Sequence, residues 1–182
     1  MRKIYPRLIV LAALLTGLSL ASVNARAAGW IIGQNKAPGY DYYHLTPGMR
    51  EVVEDILYRR FYTTEEKLAR RFYDWVVENI AYEHTFGVAS ARRVYESRQG
   101  KCGGQTRLFI ALARDLGLDA RYVLVDRDHR GRTVKHACAW IRLDGRGYLV
   151  DPAYGLFDAR HQSWRFTDDS PGYLLVALSP RD

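Results

Sequence analysis

The residues with the clearest chemical meaning in this chain are Cys102, His136 and Asp151, which occur in that order. Cys102 lies in the glycine-rich stretch 99–104, directly before a run of apolar side chains with helical spacing. It is therefore expected in the first turn of a helix, where unpaired backbone N–H groups and the helix dipole favour a thiolate. A thiol, an imidazole and a carboxylate suggest a nucleophile, its base and the group that orients the base.

The histidine and the aspartate lie in segments with the alternating pattern of β-strands. In the predicted strand 133–143, alternation places His136 and Cys138 on one face of the sheet. The turn at 144–147 predicts a hairpin that brings Asp151 onto the neighbouring strand, beside His136. If this strand pair packs on the helix that carries the cysteine, the imidazole can reach the sulfur.

Two other uses of these residues remain open. An exported chain with two cysteines can form a disulfide, here between Cys102 and Cys138. Together with His136 and Asp151, the two thiols also match zinc by ligand type, although the paired spacings typical of zinc sites are missing. The order of the three chemical groups favours catalysis, and Cys138 is then interpreted as a small buried residue.

Residues 1–27 have the pattern of a secretory signal peptide. A basic start precedes the apolar run 8–20, and Ala25-Arg26-Ala27 fits a small-x-small cleavage site. The run is short for a membrane span, so cleavage is favoured over an anchor. The sequence therefore predicts export to the periplasm or the medium, with no stable membrane span after cleavage.

The charged residues do not point to nucleic acid. Residues 1–27 carry four basic residues and no acids, so their removal lowers the formal charge from +7 to +3. The remaining arginines are scattered among acids, without a basic stripe interleaved with aromatic residues. No nucleotide-binding signature is present, so no cofactor is expected, and the oligomeric state stays open.

The rest of the chain predicts an aromatic-rich arm at 28–46, which could wrap the domain, cover the site or bind a partner, and one α+β domain at 47–182. The first predicted helix spans 47–61, and the second begins with a capping box of Thr63 and Glu66 and ends near 80. A short helix follows Ser90. The last predicted helix runs from Cys102 to about Leu116, with Gly117 as its C-terminal left-handed residue. The predicted strands are 120–125, 133–143, 148–151, one around Phe166 and one over 173–178.

The segment from about Trp75 to Tyr154 resembles the transglutaminase-like superfamily, a branch of the papain-like cysteine enzymes. The matching residues are Tyr82, Gly100-x-Cys102-Gly103, the run 113–118, Ala120-Arg121-Tyr122-Val123, His136 near Trp140, and Asp151-Pro152. One departure is that Trp140 comes four residues after the histidine, whereas the family often has a tryptophan two residues after it. Trp140 is interpreted as core packing that could also shield the ion pair from water.

The resemblance implies a transglutaminase-like, papain-like fold and acyl transfer through a thioester, without a cofactor. Cys102 would attack an amide carbonyl of a protein or peptide, His136 would carry the proton, and Asp151 would fix the imidazole. The backbone N–H of the cysteine would help to hold the oxyanion. Tyr82, His84 and Gln105 are the candidates for a side-chain donor beside it.

Three classes of function follow from these observations. The first is an exported thiol hydrolase or acyltransferase, with hydrolysis by a cysteine peptidase or amidase favoured over cross-linking. The second is a catalytically silent transglutaminase-like binding module of the cell envelope. The third is a structural envelope protein stabilised by the disulfide.

Overall fold

The helix that begins at Cys102 runs through the core and is buried along residues 103–113. The computed structural model describes residues 42–59, 64–84 and 87–167. The predicted signal peptide, most of the predicted arm and the predicted strand 173–178 lie outside the described residues. In the part of the chain that is described, no helix has the length and apolar character needed to cross a membrane.

Four α-helices account for the first half of the described chain. They are α1 (Pro47–Arg59), α2 (Glu65–Asn79), α3 (Ala91–Ser97) and α4 (Cys102–Asp115). Ser90 caps α3 as predicted, because its hydroxyl accepts from the N–H of Arg93 at 3.2 Å. The predicted capping box at Thr63 is wrong by one residue, since the Thr64 hydroxyl caps α2 by accepting from the N–H of Lys67.

An antiparallel sheet follows the helices, and the predicted α+β class is confirmed. The strands are β1 (Ala81–Tyr82), β2 (Gln99–Gly100), β3 (Asp119–Arg127), β4 (Thr133–Leu143), β5 (Arg146–Asp151), β6 (Leu156–Phe157) and β7 (Ser163–Phe166), with a 3-10 turn at Pro152–Tyr154. Five of them form one sheet in the order β6-β5-β4-β3-β7, while β1 and β2 form a small parallel pair. The hairpin from β4 to β5 turns at Asp144 and Gly145, both with positive φ, as a two-residue turn requires.

The two faces of the sheet carry different clusters. The face that packs on α4 contributes Ala137, Ala139 and other residues of the main core, which also includes side chains of α1, α2 and α3. On the opposite face, Cys138 packs with a smaller cluster that includes Val123 and Leu149. The predicted alternation along β4 is therefore confirmed, and Cys138 is buried as expected.

The described end of the predicted arm lies against the domain. The carbonyl of Tyr42 accepts from the N–H of Ala91, and the Arg107 guanidinium lies 4.5 Å from the centre of the Tyr42 ring. The Arg114 guanidinium lies 4.6 Å from the centre of the Tyr43 ring. Residues 42 and 43 therefore pack on the domain, which is one of the roles left open for the arm.

Glycines in the first turn of α4 allow close approach by its neighbours. A Cβ at Gly103 would lie 2.6 Å from the Tyr122 hydroxyl oxygen, and a Cβ at Gly104 would lie 2.8 Å from a methyl carbon of Val94. Val94 is fully buried and branched, so it cannot yield easily. These glycines therefore set how deeply the turn that carries Cys102 can sit between α3 and the sheet.

We expect Gly104→Ala to lower the free energy of unfolding by about 1–2 kcal/mol, because overpacking costs more than the gain in helix propensity. The control is Gly87→Ala, whose Cβ would meet nothing within 4 Å, and which should be as stable as wild type or slightly more stable. Urea unfolding of the two variants and of Gly104→Ala/Val94→Ala measures the effect. A Gly104→Ala protein as stable as Gly87→Ala would show that the close contact does not constrain the turn.

Candidate active site

Cys102 lies in the first turn of α4, as predicted. Lys101 precedes it with extended backbone angles, and its side chain makes no capping hydrogen bond to the first turn. The Cys102 sulfur receives hydrogen bonds from the backbone N–H groups of Gly103 and Ala137. The helix thus contributes both its terminus and a backbone donor to the thiol.

The backbone of Ala137 joins the start of α4 to β4. β5 pairs with β4 only as far as Ala139–Val150, so among the described residues no strand pairs with that edge of β4 at Ala137. In an antiparallel strand, the N–H and C=O of one residue point to the same edge. At Ala137 the N–H donates to the Cys102 sulfur, and the carbonyl accepts from the Thr106 hydroxyl at 3.2 Å. The first turn of α4 therefore takes the place of β5 as the partner of β4.

His136 and Asp151 form the buried pair that the hairpin predicted. Nε2 of His136 lies 2.7 Å from Oδ2 of Asp151, whose side chain has no exposed surface. The other carboxylate oxygen accepts from the N–H of Tyr154 at 3.1 Å, which caps the 3-10 turn after β5. Because Nε2 faces the carboxylate, Nδ1 is the ring nitrogen left for the hydrogen bond with Cys102.

The three ionisable groups shift one another toward their charged forms. Burial raises the pKa of the Cys102 thiol, but the hydrogen bond and charge of His136 outweigh burial and lower that pKa below its ordinary value. Burial lowers the pKa of His136, whereas Asp151 and Cys102 raise it to about 9. Burial also raises the pKa of Asp151, and hydrogen bonds from histidine outweigh this effect so that its net pKa is lowered. The site is therefore built to hold an imidazolium beside a thiolate.

A second histidine, which the sequence analysis missed, contacts the same carboxylate. Nε2 of His161 lies 3.0 Å from Oδ2 of Asp151, and its side chain is fully buried. His161 belongs to a loop without regular periodicity, so no pattern in the sequence pointed to it. Only the fold of the loop back over β5 brings it to the site.

Tyr154 covers the imidazole, and Trp140 does not. The rings of Tyr154 and His136 are stacked, with centroids 4.2 Å apart and planes 13° apart. Trp140 instead packs over Gly147 and between the guanidinium groups of Arg121 and Arg142. Four residues of strand separate it from the histidine by about 13 Å, too far for the expected shielding of the ion pair.

Among the three candidates for an oxyanion donor, Tyr82 is the one beside the thiol. Its hydroxyl oxygen accepts from the backbone N–H of Cys102, and burial and the charge of Cys102 raise its pKa. The amide of Gln105 is buried and donates to the carbonyls of Ile80 and Gly100, which removes it from the site. His84 packs edge-on against the Tyr82 ring at 4.9 Å.

Neither alternative use of the cysteines has the geometry that it requires. Cys102 and Cys138 are both free thiols, and burial raises the pKa of Cys138 well above its ordinary value. Within the described residues, the group whose atoms are close enough to hold a metal ion is His136, Asp151 and His161, without either cysteine. Hydrogen bonds from both histidines to the carboxylate already account for that cluster.

The sequence model of the transglutaminase-like superfamily matches residues 55–152, which is more than half of the chain and includes all three predicted site residues. No curated protein matches this chain. The match begins in α1 and ends just after Asp151, so the Tyr154 and His161 contacts lie beyond it.

Three solved structures align with this chain. A candidate cysteine protease from Cytophaga hutchinsonii aligns with a TM-score of 0.54 and 18% identity, over 82% of this chain and 49% of that protein. A candidate protease from Parabacteroides distasonis aligns with a TM-score of 0.46 and 10% identity, over 79% of this chain and 30% of that protein. A protein named as a TGase aligns with a TM-score of 0.46 and 17% identity, over 71% of this chain and 38% of its own. This chain therefore spans half or less of the length of these proteins.

Replacing Thr106 by valine tests the link between α4 and β4. Thr106→Val keeps the shape of the side chain but leaves the buried Ala137 carbonyl without its donor, so we expect a loss of about 1–3 kcal/mol in unfolding free energy. Thr106→Ser keeps the hydroxyl and should stay closer to wild type in urea unfolding. Equal stability of the valine variant and wild type would show that this hydrogen bond does not hold the helix on the strand.

The ion pair predicts that Cys102 reacts with iodoacetamide below the ordinary thiol pKa of about 8.5. Labelling across pH, read by peptide mass spectrometry, should show Cys102 modified at neutral pH and Cys138 protected until the protein unfolds. In His136→Ala the midpoint should move to about 8.5 or higher, because a buried thiol then lacks its positive partner. His44→Ala, at an exposed histidine, is the matched control. An unchanged midpoint in His136→Ala would contradict the ion pair.

Proposed function

Because this chain belongs to the transglutaminase-like superfamily, we propose that it is a thiol hydrolase, a cysteine peptidase or amidase, that cleaves amide bonds of protein or peptide substrates. The observation that carries the proposal is the continuous hydrogen-bonded chain from Cys102 through His136 to the buried Asp151. A nucleophile, a proton carrier and an orienting carboxylate are the groups that acyl transfer through a thioester needs.

In the first half of the reaction, the Cys102 thiolate attacks the carbonyl carbon of the amide and forms the C–S bond. The proton on Nδ1 of His136 passes to the leaving nitrogen as the C–N bond breaks, so the amine departs neutral. Asp151 stays ionised throughout and holds the imidazole ring by its Nε2–H. The product of this half is a thioester on the cysteine and a neutral imidazole.

Two groups are proposed as donors to the oxyanion that develops during the attack. One is the backbone N–H of Cys102, and the other is the hydroxyl of Tyr82, which now accepts from that N–H. A carbonyl oxygen that enters between them would take the hydrogen bond from the backbone and one from the phenol. Because its pKa is raised, Tyr82 keeps the proton it has to donate.

In the second half, water attacks the thioester. Nδ1 of His136 takes the proton from that water, the C–S bond breaks, and the acid leaves while the thiolate is restored beside the imidazolium. An amine in place of water would give transamidation by the same steps. Hydrolysis is proposed with water as the acceptor, and transamidation is the alternative outcome at the same site.

The place of action proposed with this activity is outside the cytoplasm. Residues 1–27 carry the basic start, apolar run and small-residue cleavage site of a signal peptide. Cleavage there would deliver the domain to the periplasm or the medium, where protein and peptide amides are available. Edman sequencing of the exported protein would test this directly, with a new N-terminus at residue 28 expected.

Incubation of the mature protein with a complex peptide library, read by mass spectrometry, tests the activity. We expect new peptide termini with wild type and Cys138→Ala, and none with Cys102→Ala. Tyr82→Phe should lower kcat by about 10²-fold or more with little change in KM, as for loss of one oxyanion donor. Cleavage by wild type should fall near pH 9, because His136 then loses the proton that the leaving amine needs.

If Cys102 of the wild-type protein is reactive but no peptide is cleaved, the result would favour an acyltransferase whose acceptor amine was not present in the assay. An unreactive Cys102 without cleavage would favour the binding module. Cleavage that persists in Cys102→Ala would overturn the proposed mechanism.

A further inference from the structure

His161 is held in place by a loop that is tied to two strands. The N–H of Ala159 donates to the carbonyl of Leu149 at 2.8 Å, and the N–H of Gln162 donates to the carbonyl of Arg127 at 3.1 Å. These bonds fix the loop between β5 and β3 on both sides of the histidine. The buried position of the His161 ring is therefore fixed by the fold, because the backbone on either side of it is hydrogen-bonded to a strand.

The carboxylate of Asp151 receives three donors from three directions. Oδ2 is 2.7 Å from Nε2 of His136 and 3.0 Å from Nε2 of His161, while Oδ1 accepts from the N–H of Tyr154 at 3.1 Å. Two donors on one oxygen and one on the other oppose rotation of the carboxylate about its Cβ–Cγ bond. Without His161, the ring of His136 and a single backbone bond would be left to fix that rotation.

The contacts of His161 also define which of its ring nitrogens donates to the carboxylate. An ionised carboxylate only accepts hydrogen bonds, so Nε2 of His161 carries the proton. Its Nδ1 is buried and has no hydrogen-bond partner among the described residues. The ionisable groups around the ring are Asp151, His136, Tyr154 and His129, and no carboxylate other than Asp151 is shown in contact with it. His161 therefore faces the Asp151 carboxylate as an Nε2–H donor.

We propose that His161 is a positioning residue, which through its Nε2–H fixes the Asp151 carboxylate in the orientation that aligns His136 with Cys102. This inference rests on the proposed function and deepens it by adding a fourth residue to the site. His161 touches neither the thiol nor the leaving nitrogen, and it acts through Asp151 alone. Outer partners that orient a functional histidine typically change activity by about 10–100-fold when they are removed.

A pair of amide substitutions separates donation from packing. His161→Gln can place its amide N–H roughly where Nε2 of the ring lies, whereas His161→Asn reaches only as far as Nδ1. Both side chains are polar, and the asparagine is the matched control for introducing an amide. His161→Leu adds a variant that fills the space without any donor, and it removes the unpartnered nitrogen that the native ring buries.

The first readout is the pH dependence of Cys102 alkylation by iodoacetamide, which needs no substrate. We expect His161→Gln to keep the wild-type midpoint, and His161→Asn and His161→Leu to move it to higher pH, because a loosened Asp151 holds the imidazolium less well. Thermal unfolding of all three variants identifies any that fail to fold. If the leucine variant does not fold, the comparison of glutamine with asparagine decides the question.

The second readout is peptide cleavage, where kcat should fall by about 10–100-fold in the asparagine and leucine variants, with KM unchanged. Identical alkylation profiles for folded His161→Asn and wild type would overturn the positioning role. A wild-type Cys102 that is unreactive at neutral pH would instead overturn the proposed function itself. A reactive wild type with unchanged His161 variants leaves the proposed function standing and removes only this inference.

Discussion

The buried carboxylate of Asp151 is the interaction on which the rest of the site depends. A carboxylate without exposed surface is costly to ionise, and it stays charged here because His136, His161 and the backbone of Tyr154 all donate to it. That negative charge is what makes a proton on the buried His136 favourable, and the imidazolium in turn favours the Cys102 thiolate. Each charged group favours the charge of the next along these hydrogen bonds, and burial strengthens the interactions because little water screens them.

The fold makes room for these hydrogen-bonded groups because β5 ends before it has paired with the whole of β4. β5 leaves the edge of β4 open at the level of the histidine, and the first turn of α4 occupies it through both backbone groups of Ala137. Glycines at 103 and 104 let the turn come close enough to do so. The position of the nucleophile is thus a consequence of packing a glycine-rich helix start against an incompletely paired strand.

The sequence alone predicted the features that depend on local pattern and on the order of residues along the chain. The Ser90 cap, the helix end at Gly117 and the alternation along β4 each depend on a few neighbouring residues. The hairpin was predicted with a connection over 144–147, but its turn is only Asp144 and Gly145, because Arg146 and Gly147 already pair with β4. The one-residue error at Thr63 arose because Thr63 has the glutamate three residues later that a capping box requires, whereas the hydroxyl that caps α2 is that of Thr64, which has Lys67 at that spacing. The contact between His136 and Asp151 followed from alternation and hairpin register alone.

What the sequence could not supply are contacts made by segments without periodicity. His161 reaches Asp151 because its loop is bound to β3 and β5, and Tyr154 stacks on His136 because a 3-10 turn follows the aspartate directly. Trp140 was interpreted as core packing that could also shield the ion pair. The rise of the strand places it too far along to serve, and Tyr154 occupies that place instead.

Whether Asp151 keeps His136 protonated beside a thiolate can be tested directly, because the protonation of the ring can be measured with ¹⁵N-labelled histidine. Two-bond ¹H–¹⁵N correlation spectra report which ring nitrogens of each histidine carry protons as the pH is varied. The account predicts that both nitrogens of His136 are protonated at pH 7 and that the ring titrates near pH 9, with a lower value in Cys102→Ala. A His136 ring that is neutral at pH 7, with an ordinary pKa of about 6.5 or below, would contradict it.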